Sequence, residues 1–358
     1  MIGALSEFLD HAVAAGSFGA AQAAVWAGGR QRHLSAHGGF GPARADDHTL
    51  FDVSSLTKVL ATTTLAYRLI SQGELALSDR VGRFFPQAAS EAVTIRELLA
   101  HRSGLPAWLP LFASGEGVLE AALRVPPEGS KGERRYSDIG FILLGAILER
   151  VSGLRLDRLF QEEVARPLGL AKTAYRPLPA RVALGGTRLS IAPTGVRRPR
   201  HPAPGQEESY PAGSPTDDAG EVDDDNAWAM GGIAGHAGLF STAQEVVRWA
   251  EAIHAEREGA ARLGRPEILE EMLAESLGFD RPSGPRSSAG SLVGRGGPRG
   301  AAGHLGYTGC SVWMDLDRRW SVVLLTNRVY PDRKNEEIRS LRPRFHDEVA
   351  RHLLREER

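Results

Sequence analysis

Ser55 and Lys58 stand three residues apart in Ser54-Ser55-Leu56-Thr57-Lys58, where a helix is expected to begin. Positions i and i+3 share a helical face, so the two side chains can meet. A serine hydroxyl is a poor nucleophile until a base takes its proton. A lysine can be that base when burial or a positive neighbour favours its neutral form. The helix N-terminus adds free N–H groups for a developing oxyanion. The pair therefore suits nucleophilic catalysis. Of the four lysines, Lys58, Lys131, Lys172 and Lys334, only Lys58 follows a serine at this spacing. Taken alone, the same residues also fit a capped helix with an exposed lysine.

Two further segments carry chemistry. Tyr136-Ser137-Asp138 opens an apolar stretch. A tyrosine near a lysine can exist partly as phenolate and relay protons, and Asp138 can accept from Lys58. A buried aromatic beside an N-cap aspartate fits equally well. Gly303-His304-Leu305-Gly306-Tyr307-Thr308-Gly309 runs into a late strand. If that strand lies at a sheet edge, its glycines let a ligand approach and a backbone N–H can face a substrate carbonyl. The plainer reading is a Gly-rich turn.

The remaining polar residues suggest less. His101 and His236 read as hydrogen-bonding turn residues. His33 and His37 have metal-like spacing but no third ligand in sight. Cys310 falls in an apolar strand and reads as a packed small side chain. Asp217, Asp218, Asp223, Asp224 and Asp225 read as a solvated acidic loop, since they lack the pattern of a calcium loop. No metal and no cofactor is expected.

These residues must be positioned by the elements around them. Leu5, Phe8, Leu9 and Val13 recur at helical spacing. Residues 20–26 and 31–36 read as strands joined by Gly28-Gly29, a hairpin signal. Helical patterns cover 55–71 with a stop at Gly73, 94–101, 138–151 with a cap near Gly153, and 154–168. Residues 191–225 are Pro-rich and read as a long surface excursion. Residues 230–240 are Gly-rich. Thr242 and Glu245 read as a capping box for a helix through Ile253. Residues 281–303 read as another loop. Residues 310–314 and 320–326 read as a hairpin, and a helix is expected after Pro343. The expected fold is α/β (α+β), with a mostly antiparallel sheet from the N- and C-terminal segments, flanked by helices. A mainly helical subdomain is inserted between them. The expected division is one domain over 1–358, with the sheet from 1–52 and about 275–358. The helical part spans about 53–274 and includes the loop 191–225.

Composition removes several classes. Forty-three basic and 44 acidic residues leave a net charge of −1, without the basic excess of a nucleic-acid binder. The single cysteine, Cys310, excludes an internal disulfide and a cysteine-based zinc site. No apolar run approaches the roughly 20 residues that span a bilayer, so no membrane partner is expected. Residues 1–11 carry Glu7 and Asp10 but no lysine or arginine and no apolar core, unlike a secretion signal. The expected compartment is the cytoplasm. Nothing in the sequence speaks to oligomeric state.

The order and spacing of the three motifs resemble the serine β-lactamase and penicillin-recognising family, closest to the class C β-lactamase-like esterases and D-peptidases. The resemblance covers nearly the whole chain. Residues 51–58 look like the nucleophile segment, 98–106 a following Leu-Leu-x-His-x-Ser-Gly-Leu-Pro stretch, and 136–149 the tyrosine-bearing helix. Residues 231–242 are similar to a Gly-His-Ala-Gly loop of one subgroup, and 304–309 to the Lys-Thr-Gly strand motif. The resemblance implies that Ser55 is acylated and that Lys58 and Tyr136 share acid–base work. It also implies that the N–H groups of Ser55 and Tyr307 form the oxyanion hole. His304 would orient the substrate, with Asp138, Gly306 and Tyr307 beside it. Two departures matter. Asp138 replaces the usual asparagine, favours the ammonium form of Lys58 and shifts base work to Tyr136. His304-Leu305 replaces Lys-Thr, which weakens the grip on a substrate carboxylate. The implied activity is acyl-enzyme hydrolysis of a small ester, amide or peptide, with weak β-lactamase activity. The alternative is a non-turnover penicillin-recognising binding or sensing module.

Overall fold

The structure is a computed structural model that describes residues 2–129, 132–175, 190–194, 220–284, 287–291, 293–295, 297, 299–330 and 332–357. The strands are β1 (Ala20–Ala27), β2 (Arg30–Phe40), β3 (Ala43–Arg44), β4 (Phe51–Asp52), β5 (Ala174–Tyr175), β6 (Leu239–Ser241), β7 (Ala301–Leu305), β8 (Ser311–Asp315) and β9 (Trp320–Thr326). The helices begin with α1 (Ile2–Ala14) and α2, which opens as a π-helix (Lys58–Thr63) and continues as Thr64–Gln72. Then come α3 (Val81–Phe84), α4 (Ile95–Leu99), α5 (Val118–Arg124) and α6 (Asp138–Ser152). Next are α7 (Leu156–Phe160, Gln161–Ala165 and Arg166–Leu168), α8 (Asp225–Ala229), α9 (Ala243–Arg257), α10 (Pro266–Ala274) and α11 (Ile338–Glu356).

The main sheet has the order β3-β2-β1-β9-β8-β7. Its hydrogen-bonded pairs are antiparallel. β1 runs beside β9 from Ala21 opposite Thr326 to Trp26 opposite Ser321, so the two ends of the chain close one sheet as expected. Gly28 and Gly29 have φ of +59° and +72°, the left-handed pair that a two-residue hairpin of matching twist needs. Along β9 successive side chains take opposite faces. Val322 and Leu324 join a core with Leu5 and Leu9 of α1 and Phe345 and Val349 of α11. Val323 and Leu325 join the larger core with Trp249 and Ile253 of α9. A second, small sheet has the order β4-β6-β5.

Several boundaries differ from expectation. Helix α11 starts at Ile338 and contains Pro343. The proline is the sixth residue of the helix, in its second turn, where it removes one i→i−4 hydrogen bond, but Leu341 and Phe345 on the same helix are buried against the sheet. Thr242 caps α9 by accepting from the Glu245 N–H, but Glu245 does not complete a capping box. Its carboxylate accepts from the N–H groups of Lys172 and Thr173 instead. β7 forms within the segment expected to be loop, because pairing with β8 satisfies its backbone. Of the Pro-rich excursion, residues 195–219, with Asp217 and Asp218, lie outside the described residues. Among the described residues no helix is long and apolar enough to cross a membrane.

Candidate active site

β4 ends two residues before Ser54, and Val53 continues its pairing by donating to the Leu239 carbonyl. The small sheet thus sets Ser55 at the mouth of α2. Lys58 follows one turn on and is fully buried, so the exposed-lysine reading fails. Its Nζ lies 2.9 Å from Ser55 Oγ, 3.0 Å from the His236 carbonyl oxygen and 2.7 Å from Asp138 Oδ1. Three acceptors around one nitrogen match the three donors of an ammonium. The π-helical opening of α2 widens this turn, and Thr62 Oγ1 donates to the Gly235 carbonyl from it. Such wide turns recur at functional sites.

The His236 carbonyl reaches Lys58 because two glycines let backbone meet backbone. A Cβ on Gly235 would lie 2.1 Å from the Phe141 carbonyl oxygen, and one on Gly145 2.9 Å from Gly235. Helix α6 and the Gly-rich loop therefore touch directly. The His236 ring turns the other way, with Nε2 2.7 Å from Asp224 Oδ1.

Tyr136 sits just before α6, whose N-cap Ser137 accepts from the Gly140 N–H. Its hydroxyl donates to Ser55 Oγ at 3.0 Å. Burial, then the nearby Asp138 carboxylate, hold this hydroxyl well above the usual tyrosine range. Tyr136 is therefore a phenol at rest, which corrects the expectation of a partly ionised tyrosine. His101 supports it. The rings are 4.6 Å apart, and His101 Nδ1 accepts from the Ser137 N–H at 3.1 Å. Burial and then Lys58 push His101 well below the usual histidine range, so it is neutral and holds the turn.

His304 lies near the end of the edge strand β7, with 1% exposure. Its Nδ1 is 2.8 Å from the Leu305 carbonyl oxygen, and its Nε2 is buried without a partner among the described residues. Burial lowers its pKa, so it brings no positive charge at neutral pH. Gly306 packs on the nucleophile loop, where a Cβ would lie 2.6 Å from the Val53 carbonyl oxygen. Tyr307 follows in the turn between β7 and β8 and is 49% exposed. Its N–H donates to Ser54 Oγ at 3.1 Å. The structure thus gathers Ser55, Lys58, Tyr136, Asp138, His304, Gly306 and Tyr307 around one point from three separate segments.

A family model described as Beta-lactamase matches residues 5–343. The chain belongs to the beta-lactamase family. A putative D-alanyl-D-alanine carboxypeptidase of Escherichia coli K12 is 29% identical over 325 residues, covering 80% of this chain and 71% of that protein. An N-acetylmuramyl-L-alanine amidase of Bacillus subtilis is 27% identical over 327 residues, covering 80% and 70%. Among solved structures, the D-amino acid amidase of Ochrobactrum anthropi superposes with a TM-score of 0.66 at 20% identity, covering 98% of each chain. At that identity the likeness concerns the beta-lactamase fold.

Some site residues of this beta-lactamase family member were not foreseen. Asp223 and Asp224 are not a solvated acidic loop. Asp223 is buried, pairs with Arg333 and gives its N–H to Asp52 Oδ2. Asp224 caps α8 and holds His236. Burial would push its carboxyl up, but the His236 ring overrides this and holds it below the usual range. Asp52 accepts from the N–H groups of Ser54 and Asp223. Burial, eased by those N–H groups and reinforced by the Asp223 charge, leaves it raised to about 7. No periodicity marks such pairs, whose partners stand 12, 110 and 171 residues apart.

Proposed function

We propose that the protein is a serine hydrolase that forms an acyl-enzyme at Ser55 on an ester or amide. The observation that carries this reading is the convergence of Lys58 Nζ and Tyr136 Oη on Ser55 Oγ, at 2.9 and 3.0 Å. Both donate to Ser55 at rest, so the set of Lys58, Tyr136 and Asp138 must lose one proton before Ser55 can give up its own. The group left deprotonated then takes the Ser55 proton as Oγ attacks the substrate carbonyl. The oxyanion meets the N–H of Ser55, which has no acceptor among the described residues, and that of Tyr307. The proton taken from Ser55 passes to the leaving alcohol or amine, and water reverses the steps to free the acyl group.

The substrate is a small ester, amide or peptide. Neutral His304 and hydroxyl-free Leu305 are poor partners for a carboxylate, so β-lactams are expected to be weak substrates. The names of the relatives make D-amino-acid amides and D-alanyl peptides the next compounds to try. The competing reading, a binding module without turnover, has no need of a complete Ser55, Lys58 and Tyr136 set.

The test compares wild type with Ser55→Ala on a short-chain p-nitrophenyl ester, with intact mass recorded on the same samples. Turnover by wild type alone supports the hydrolase. A stable adduct on Ser55 without turnover supports the binding module. Equal release by both proteins removes Ser55 from the chemistry.

A further inference from the structure

The Tyr307 N–H belongs to the turn Gly306 to Gly309, and each of the four carbonyl oxygens in this turn accepts from a side chain. Arg342 Nη2 donates to Gly306 O at 2.5 Å and Arg342 Nε to Gly309 O at 3.1 Å. Arg328 Nε donates to Tyr307 O at 2.7 Å, and Thr326 Oγ1 to Thr308 O at 3.0 Å. Arg342 reaches the turn from α11. It is 7% exposed and forms no ion pair among the described residues. A buried guanidinium without a carboxylate is costly. Its carbonyl bonds to Gly306 and Gly309 are what it receives in return.

The Gly306 carbonyl and the Tyr307 N–H are the two ends of one peptide unit. The amide is delocalised, so drawing electron density to the oxygen makes the N–H a better donor. A charge-assisted bond does this more strongly than a neutral one. We infer that Arg342 is a positioning residue for the acyl-transfer reaction. It fixes the turn and polarises the Gly306–Tyr307 peptide, so that the Tyr307 N–H binds the oxyanion more tightly than an ordinary amide. The inference rests on the reading of Ser55 as nucleophile and of Tyr307 N–H as oxyanion donor.

The test measures acylation rate and KM with a p-nitrophenyl ester for wild type, Ser55→Ala, Arg342→Gln and Arg342→Lys, with a melting curve for each. Arg342→Gln removes the charge and is expected to slow acylation by about 10-fold, less than the ~100-fold or more lost with a whole oxyanion donor. KM should stay within about threefold. Arg342→Lys keeps a charge that can reach one carbonyl and should recover part of the rate. In acyl-enzymes carrying a carbon-13 carbonyl, the stretching frequency should rise in the glutamine variant, because the bond to the oxygen is weaker. If glutamine prevents folding, the lysine variant decides alone, through a slower acylation at unchanged KM and a raised carbonyl frequency. Lower melting points with unchanged acylation and carbonyl frequency would make Arg342 a purely structural residue and overturn the inference. If wild type releases no more nitrophenol than Ser55→Ala, the hydrolase reading itself falls and takes the inference with it.

Discussion

The Tyr307 N–H and the Ser54 hydroxyl are bonded at 3.1 Å, so the amide proposed to receive a substrate carbonyl already holds an acceptor. Ser54 reaches it from a left-handed backbone, with φ of +50°, a conformation that only glycine adopts freely. Under the proposed mechanism, substrate must displace this hydroxyl. Ser54→Ala should therefore lower KM for a small ester by about two- to fivefold, in keeping with a hydrogen bond of about 0.5–1 kcal/mol net. Ser54→Gly should do the same and also raise stability by about 1 kcal/mol, since it relieves the positive φ. Steady-state kinetics and melting curves on both variants check this. Unchanged KM in both would mean that the Ser54 hydroxyl does not compete.

Lys58 and Tyr136 both touch the Ser55 oxygen, so neither is replaceable by a side chain that only fills space. Lys58→Ala and Tyr136→Phe should each reduce kcat/KM by about 100-fold or more. The His304 ring centroid is 6.0 Å from that of Tyr136 and gives no bond to the Ser55 oxygen. His304→Ala should therefore mainly raise KM. Activity near wild type in Lys58→Ala would remove Lys58 from the mechanism.

Asp138 shapes the pH dependence. Its charge is, after burial, the largest cause that holds the Tyr136 hydroxyl above its usual range. A site that must lose a proton before reacting is then more active as pH rises. Asp138→Asn removes the charge, the Tyr136 pKa falls, and the rise in kcat should move to lower pH. A kcat profile across pH 5–10 for both proteins measures it. A rise that stays in place would show that Asp138 does not control the proton that leaves.

His346 gives a stability prediction. It lies wholly buried on α11, its Nε2 3.1 Å from Ser311 Oγ. Burial, then the charge of Arg342, lower its pKa to about 3, against about 6.5 in an unfolded chain. Between those values the unfolded state binds more protons, so stability falls as pH drops from about 6.5 to about 3. His33 and His254, each lowered to about 4 chiefly by burial, act in the same direction. Asp52, raised to about 7, acts oppositely, since its stabilisation is lost as pH rises from about 4 to about 7. His346→Gln should narrow the gap between urea midpoints at pH 7.5 and pH 4.5. An unchanged gap would show that His346 is not part of the acid sensitivity.

Local signals in the sequence carried far where one element decides the outcome. Gly28-Gly29 announced its hairpin, and Gly73 and Gly153 stopped their helices in left-handed φ. Thr242 showed that a cap was present. The signal failed where a distant partner intervened. Glu245 had the spacing of a capping box but turned to Lys172 and Thr173, which are more than 70 residues away. Pro343 read as a boundary, yet the packing of Leu341 and Phe345 on the sheet carries α11 through it. The acidic run around Asp223 read as solvated because neither Arg333 nor His236 is near Asp223 and Asp224 in a way that spacing can show.

By itself, the sequence determined which residues can do chemistry here. One serine and one lysine share a helical face at i and i+3, a matter of helix geometry alone. The order of the tyrosine and histidine–glycine motifs then placed the chain among serine hydrolase folds. Only the tertiary structure decided the state of that chemistry. Tyr136 is a phenol because burial and the Asp138 charge act on it together. Lys58 is ringed by acceptors because Gly145 and Gly235 let two backbones touch. The Tyr307 amide is aimed because two buried arginines hold its turn. Charge states and donor alignment depend on distances between segments far apart in the chain, and only the packed fold sets those distances.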